Sequence, residues 1–260
     1  MDALYSLMDA QGVVSGGKDG VIIIWNRHLE QNKKFDIKMS IRKPVNPGIR
    51  SVCVREGKIL LGTLGCEIFE LDISENENDA SLNAKCITQV STFSNPFVQQ
   101  FLTSAKGHCK GELWGLGVHP ANQEFVSAGD DGNVCLWDAP TRKLLKTVNV
   151  GSKARSVSFS PDGRHIAVGM YNGSVGGRFW SLRRCLKRLQ VSVWADDLTT
   201  NITIVECSKK WIQVLRYSPD GKTLAVGSHD RKIHLLNAPA YTKRAICKVS
   251  RMSKISGNDL

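Results

Sequence analysis

The chain has 260 residues, 42% hydrophobic and 23% charged, the proportions of an ordinary globular protein. Its formal net charge is +11, but residues 1–140 carry 13 Lys and Arg against 17 Asp and Glu, whereas residues 141–260 carry 22 against 7. The second half therefore stands at +15 and the first at −4, which points to an acidic partner for the second half and is silent on fold.

In chain order, the first unit reads "LYSL" (4–7), then "VVSGGKDGVIIIWN" (13–26), with "KFDIKMS" (34–40) as an outer strand. The second reads "IRSVCV" (49–54), "ILLGTLGCEIFELD" (59–72) and "KCITQVS" (85–91). A third follows as "LWGLGV" (113–118), "FVSAGDDGNVCLWD" (125–138) and "KLLKTVNV" (143–150). The fourth starts with "ARSVSFS" (154–160) and "IAVGMYNGSV" (166–175), and "LQVSVW" (189–194) is its outer-strand candidate. The fifth is "IQVLRYS" (212–218), "LAVGSHDRKIHLLN" (224–237) and "AICKVS" (245–250). Each unit has a first strand, a strand ending in a small residue and Gly, a tight turn and an alternating strand. Asp-Gly and Asn-Gly suit two-residue hairpin turns, and "SPDG" at 160–163 and 218–221 is a further turn. The turn positions 20, 65, 132, 173 and 231 bracket the period of propeller blades. We therefore expect an all-β chain of about five four-stranded antiparallel sheets, part of a larger propeller array. The first strand and the last outer-strand candidate offer a route to closing the ring, but an open or imperfect ring is expected rather than a tidy five-bladed one.

The expected division is blades 1–4 over 1–173 with the fourth incomplete, an atypical basic insertion or altered junction over 174–210, a fifth blade over 211–250 and a disordered tail over 251–260. Within the insertion, "WSLRRCLKRL" (180–189) spaces leucines as on a helix, with Arg183, Arg184, Lys187 and Arg188 between them. These four are the candidate contacts to an acidic partner; a solvated insertion or distorted strand is the plainer reading of so short a segment.

In the third unit, His108, Ser127, Asp131 and Trp137 fall where a WD-repeat places its internal hydrogen-bond network, and Ser15, Asp19 and Trp25 repeat the pattern in the first. A buried indole N–H needs an acceptor, which Ser127 supplies, and His108 then links that hydroxyl to the Asp131 carboxylate. A hydrolase triad of the same residue types lacks its nucleophile elbow and oxyanion loop here. "GGKDG" and "GMYNGS" lack the Lys-Ser/Thr and following helix of a phosphate loop.

Eight cysteines include no C-x-x-C pair, and no histidine spacing beside them suits zinc, so we expect reduced thiols and no metal. No apolar run approaches the roughly 20 residues a membrane helix needs, and no signal peptide is evident. The expectations are accordingly no catalysis, no cofactor, no membrane contact and, because few aromatics interleave with the basic residues, no nucleic acid.

The run "GHCKGELWGLGVHPANQEFVSAGDDGNVCLWDA" (107–139) resembles the echinoderm microtubule-associated protein-like family, whose blades place a GELWGLxxHP strand before a Gly-Asp-Asp-Gly turn. "SVSFSPDGRHIAVGMYNGS" (156–174), "IQVLRYSPDGKTLAVGSHDRKIHLLN" (212–237) and "VVSGGKDGVIIIWN" are similar to blades of that family. The resemblance implies tandem WD-repeat propellers, no enzymatic activity, partnership with tubulin and microtubules, and a cytoplasmic, cytoskeletal location. Five repeats are fewer than the family's tandem propellers carry, so the resemblance implies a fragment or truncated isoform of a member with several. The alternative is a general protein-interaction scaffold using its rim loops without microtubule contact.

Overall fold

The computed structural model describes residues 3–6, 12–39, 46–55, 57–72, 85–88, 108, 111–171, 189–208 and 210–248. These form twenty strands in five four-stranded antiparallel sheets, with one 3-10 turn at Ile37–Met39. No described helix is long and apolar enough to cross a membrane.

Sheet 1 takes β1 (Ala3–Ser6), β2 (Gly12–Gly16), β3 (Val21–Asn26) and β4 (Gln31–Asp36). Sheet 2 takes β5 (Ile49–Arg55), β6 (Lys58–Thr63), β7 (Ile68–Asp72) and β8 (Lys85–Thr88). Sheet 3 takes β9 (Leu113–Val118), β10 (Glu124–Gly129), β11 (Asn133–Asp138) and β12 (Lys143–Asn149). Sheet 4 takes β13 (Ala154–Phe159), β14 (His165–Met170), β15 (Leu189–Ala195) and β16 (Asn201–Ser208). Sheet 5 takes β17 (Ile212–Tyr217), β18 (Thr223–Ser228), β19 (Lys232–Asn237) and β20 (Thr242–Lys248). Every sheet is a simple meander, the blade pattern of a propeller.

Alternation along the strands gives each sheet two apolar faces, so neighbours must stack. Val14, Ile22 and Ile24 of sheet 1 pack on Ile49 and Val52 of sheet 2. Phe125, Cys135 and Trp137 of sheet 3 belong to the same cluster, while Val126, Val134 and Leu136 on its opposite face pack against Val157, Ile166 and Val168 of sheet 4. Ala167, Val191 and Val193 then meet Ile212, Leu215, Leu224, Val226 and Leu236 of sheet 5. The first strands β5, β9, β13 and β17 pack side by side in that order.

Three expectations need correction. The fourth sheet is complete: Leu189–Ala195 and Asn201–Ser208 are its third and fourth strands, although the sequence reading put them in the insertion 174–210. "LQVSVW" is thus a third strand and not an outer one, held there because Val191 and Val193 are fully buried against sheet 5. Second, the possible route to closure is not taken: β20 pairs with β19 inside its own sheet and sheet 1 is completed by β4, so the last strand does not complete the first sheet, and the expectation of an open or imperfect ring is unaffected. Third, the Asp-Gly turns are not two-residue mirror-image turns. In the first, Gly20 donates to Gly17 O at 3.1 Å and Gly17 donates to Val21 O at 2.9 Å, with φ positive at Gly20 (85°) and not at Asp19. This is a tight turn closed by a left-handed glycine, and Gly132 (φ 78°) repeats it. The turn expected at 173, Arg183, Arg184, Lys187, Arg188 and the tail 251–260 lie outside the described residues.

Candidate functional site

The hydrogen-bond chain of sheet 3 starts at Trp137 on β11, whose indole N–H donates to Ser127 Oγ on β10 at 2.8 Å. Register places Trp137 opposite Phe125 and Ser127 opposite Cys135, so all four share the face toward sheet 2. The Phe125 and Trp137 rings stack at 5.9 Å with planes 8° apart. His108 Nε2 lies 2.8 Å from Ser127 Oγ, and its Nδ1 lies 3.0 and 3.1 Å from the two Asp131 carboxylate oxygens. Asp131 also accepts from the backbone N–H and side-chain amide of Asn133, at 3.0 and 3.1 Å, which locks the turn. Burial works against a charge on His108, but Cys135 and the Asp131 carboxylate outweigh it and raise the ring from 6.5 to about 10. Protonated, the imidazolium donates to Asp131 and to Ser127.

This Ser-His-Asp set is sealed. The Ser127 residue is 0% exposed and already accepts the Trp137 N–H, so a substrate carbonyl has no path to Oγ. Its chemistry is to tie strand, turn and preceding segment together. In sheet 1 only half the pattern forms. Trp25 donates to Ser15 Oγ at 2.8 Å, whereas exposed Asp19 accepts from Val21 N–H at 3.1 Å and stays within its own turn. Sheet 5 keeps a reduced version, His234 Nε2 to Asp230 at 3.3 Å, with Leu236 where the Trp would stand. Asp230 is held below the usual carboxylate range despite burial, which alone would raise it, by hydrogen bonds from Ser208 and His234.

The sequence reading missed a cation–aromatic array across four sheets. Trp114 on β9 is sandwiched between Arg50 of β5 and Arg155 of β13, whose guanidinium carbons lie 4.6 and 4.1 Å from the ring centroid. Arg155 also covers Tyr171 at 4.0 Å, Tyr171 stacks on Trp211 at 5.2 Å, and Trp211 meets His229 at 4.0 Å. Glu112 pairs with Arg50 at 2.8 Å, and Asp130 with Lys153 at 2.9 Å and Arg155 at 3.4 Å. The array borders a channel of about 420 Å³ between the first strands, lined also by Ser156, Arg216 and Tyr217. Its signal was positional, since Arg50, Trp114 and Arg155 are each the second residue of a first strand. A separate clamp joins sheets 2 and 3: Arg55 donates to the carbonyls of His119, Ala121 and Asn122, while buried Glu70 accepts from Arg142 at 3.1 Å and Lys58 at 3.3 Å. Burial alone would raise Glu70, and these two cations lower it instead.

The family described as the echinoderm microtubule-associated protein second β-propeller matches residues 113–258, more than half of the chain. This chain belongs to the echinoderm microtubule-associated protein family. Among curated members of similar sequence, the ciliary WD repeat-containing protein ctxp80 of Euplotoides octocarinatus is 30% identical over 91% of this chain and 30% of its own length. Echinoderm microtubule-associated protein-like 2 of Rattus norvegicus is 30% identical over 98% of this chain and 32% of its own. The 77 kDa echinoderm microtubule-associated protein of Strongylocentrotus purpuratus is 27% identical over 98% and 30%. The chain thus spans about a third of the length of these relatives. Membership accounts for the WD-repeat sheets, and two of these three relatives are named for microtubule association.

Proposed function

We propose that this chain is a non-enzymatic WD-repeat protein that binds the acidic surface of tubulin and microtubules in the cytoskeleton, and thereby modifies microtubule assembly. The observation that carries this reading is membership of a family whose relatives are named microtubule-associated. Charge supports it: residues 141–260 stand at +15. In that half, Lys143 on β12 and Lys243, Arg244 and Lys248 on β20 are exposed on outer strands. Arg183, Arg184, Lys187 and Arg188 are the densest basic cluster in the sequence and are proposed to join these outer-strand cations. Each exposed charge contact contributes about 0–1 kcal/mol, so many must act together.

The test is co-sedimentation of the full chain with intact microtubules and with microtubules stripped of their acidic C-terminal tails. Loss of the tails is expected to weaken binding several-fold, as is replacing Arg183, Arg184, Lys187 and Arg188 by Gln. Equal binding to both microtubule preparations overturns the electrostatic mechanism. No pelleting with either favours a scaffold for some other protein.

A further inference from the structure

The first strands β5, β9, β13 and β17 lie side by side and wall the channel of about 420 Å³. Inner strands surround the axis of a propeller however many sheets it has, so this wall stays on the channel whatever precedes residue 1 or follows residue 260. The charged residues that line it are of one sign: Arg50, Arg155 and Arg216. Glu112 and Asp130, the acids that pair with Arg50 and Arg155, stand outside the lining. A cleft lined by one sign of charge between low-dielectric walls focuses its field and concentrates ions of the opposite sign.

Two of these cations are set in position by the fold. The guanidinium carbons of Arg50 and Arg155 lie 4.6 and 4.1 Å from the Trp114 ring centroid, and Arg155 also covers Tyr171 at 4.0 Å. Asp130 takes the Nε edge of Arg155 at 3.4 Å, which leaves its Nη edge to a second carboxylate. Stacking fixes the plane of that fork in advance, so little rotamer freedom is lost when an anion binds. Two lining groups point to a ligand independently. Trp114 Nε1 and Ser156 Oγ are buried and have no hydrogen-bond partner among the described residues. An indole N–H can only donate, and buried without an acceptor it costs free energy that a bound acceptor would recover.

We propose that the channel binds an acidic peptide, one side-chain carboxylate of which is held by the Nη edge of Arg155 and the indole N–H of Trp114. The size of the channel and the aromatic row beside it favour a peptide over a lone anion. That row runs from Tyr171 to Trp211 and His229, with ring centroids 5.2 and 4.0 Å apart, and gives the flanking peptide residues a surface to lie on. The site is distinct from the outer-strand cations invoked for microtubule contact, so peptide binding and co-sedimentation succeed or fail separately.

Fluorescence anisotropy of the full chain with a fluorescein-labelled, amidated, glutamate-rich peptide reads the site, and the same peptide with glutamine for glutamate is the control. The glutamate peptide is expected to bind with Kd below about 1 mM, and the glutamine peptide about tenfold more weakly. Arg155→Lys keeps the charge and loses the fork. Trp114→Phe keeps a ring beside both guanidiniums and removes the unpartnered N–H, so no hydrogen bond within the chain is lost. Each variant is expected to weaken the glutamate peptide about tenfold, as loss of one charge-assisted hydrogen bond would. Thermal melting checks that both fold; if Arg155→Lys does not, Trp114→Phe and nuclear magnetic resonance carry the test. Of the six tryptophan indole N–H signals, the one absent from Trp114→Phe is expected to shift as the peptide is added. Lys143→Gln with Lys243→Gln, on outer strands, is expected to leave peptide binding unchanged. No binding, equal binding of the two peptides, or full affinity in Trp114→Phe overturns the proposal. So does an indole signal that stays still, or an outer-strand variant that weakens binding as much as Arg155→Lys.

Discussion

Replacing Asp131 by Asn removes one charge and keeps the shape of the side chain that anchors the sheet 3 network. Asp131 and His108 side chains are 4% and 0% exposed and meet through two contacts of 3.0 and 3.1 Å. Removing one partner of such a buried pair costs about 3–5 kcal/mol, and Asn retains one acceptor oxygen, so a loss near 3 kcal/mol is expected at pH 6.5. The pH dependence gives an independent reading. His108 is raised from 6.5 to about 10 in the folded protein. Its contribution is therefore fully present below pH 6.5, declines as pH rises through the window and is gone above about 10. Urea unfolding followed by tryptophan fluorescence, at pH 6.5, 8 and 9.5, measures both. Wild type is expected to lose stability across that series, and Asp131→Asn to start lower and lose less. A change under about 0.5 kcal/mol at pH 6.5 with an unaltered pH slope would refute the buried ion-pair account.

Trp137→Phe keeps the stack on Phe125 but deprives Ser127 of its N–H donor, and urea unfolding should register a loss of about 1–3 kcal/mol. Arg155→Met keeps length but strips Asp130 of one guanidinium partner and Trp114 and Tyr171 of their cation; a drop of about 1–3 kcal/mol is expected, and Arg155→Lys should recover little of it because a point charge cannot stack. Glu70→Gln should destabilise by about 1–3 kcal/mol at pH 7. Because the Glu70 carboxyl is lowered, its contribution is present above pH 4.5 and lost as pH falls through the folded value, so wild type and Glu70→Gln should converge in acid, as thermal melts at pH 7 and pH 3 will show.

The sheets were legible because alternation, Gly-bearing turns and the recurring strand pair survive in each unit. Ser127, His108, Asp131 and Trp137 were legible because a buried indole demands an acceptor, and the chain of partners follows from that demand. The fourth sheet was not, because its third strand follows β14 only after 18 intervening residues, where other units have three or four. Once placed, Val191 and Val193 match the junction positions of sheets 3 and 5, but that match needs the register and not the repeat. The Arg50–Trp114–Arg155 array was hidden for a different reason. Its members are separated by 64 and 41 residues and touch only because first strands of successive sheets lie side by side. The turn geometry was misjudged because Asp-Gly is compatible with more than one turn, and loop length decided between them.

Saturable binding of the purified chain to assembled microtubules, followed by co-sedimentation from about 50 to 200 mM salt, tests the proposed function most directly, because the Debye length shrinks over that range from roughly 14 to 7 Å. The expected result is saturable pelleting at low salt that falls steeply as salt rises, with no loss of folded structure by circular dichroism. Pelleting that is absent at every salt concentration, or present and indifferent to salt, would contradict it.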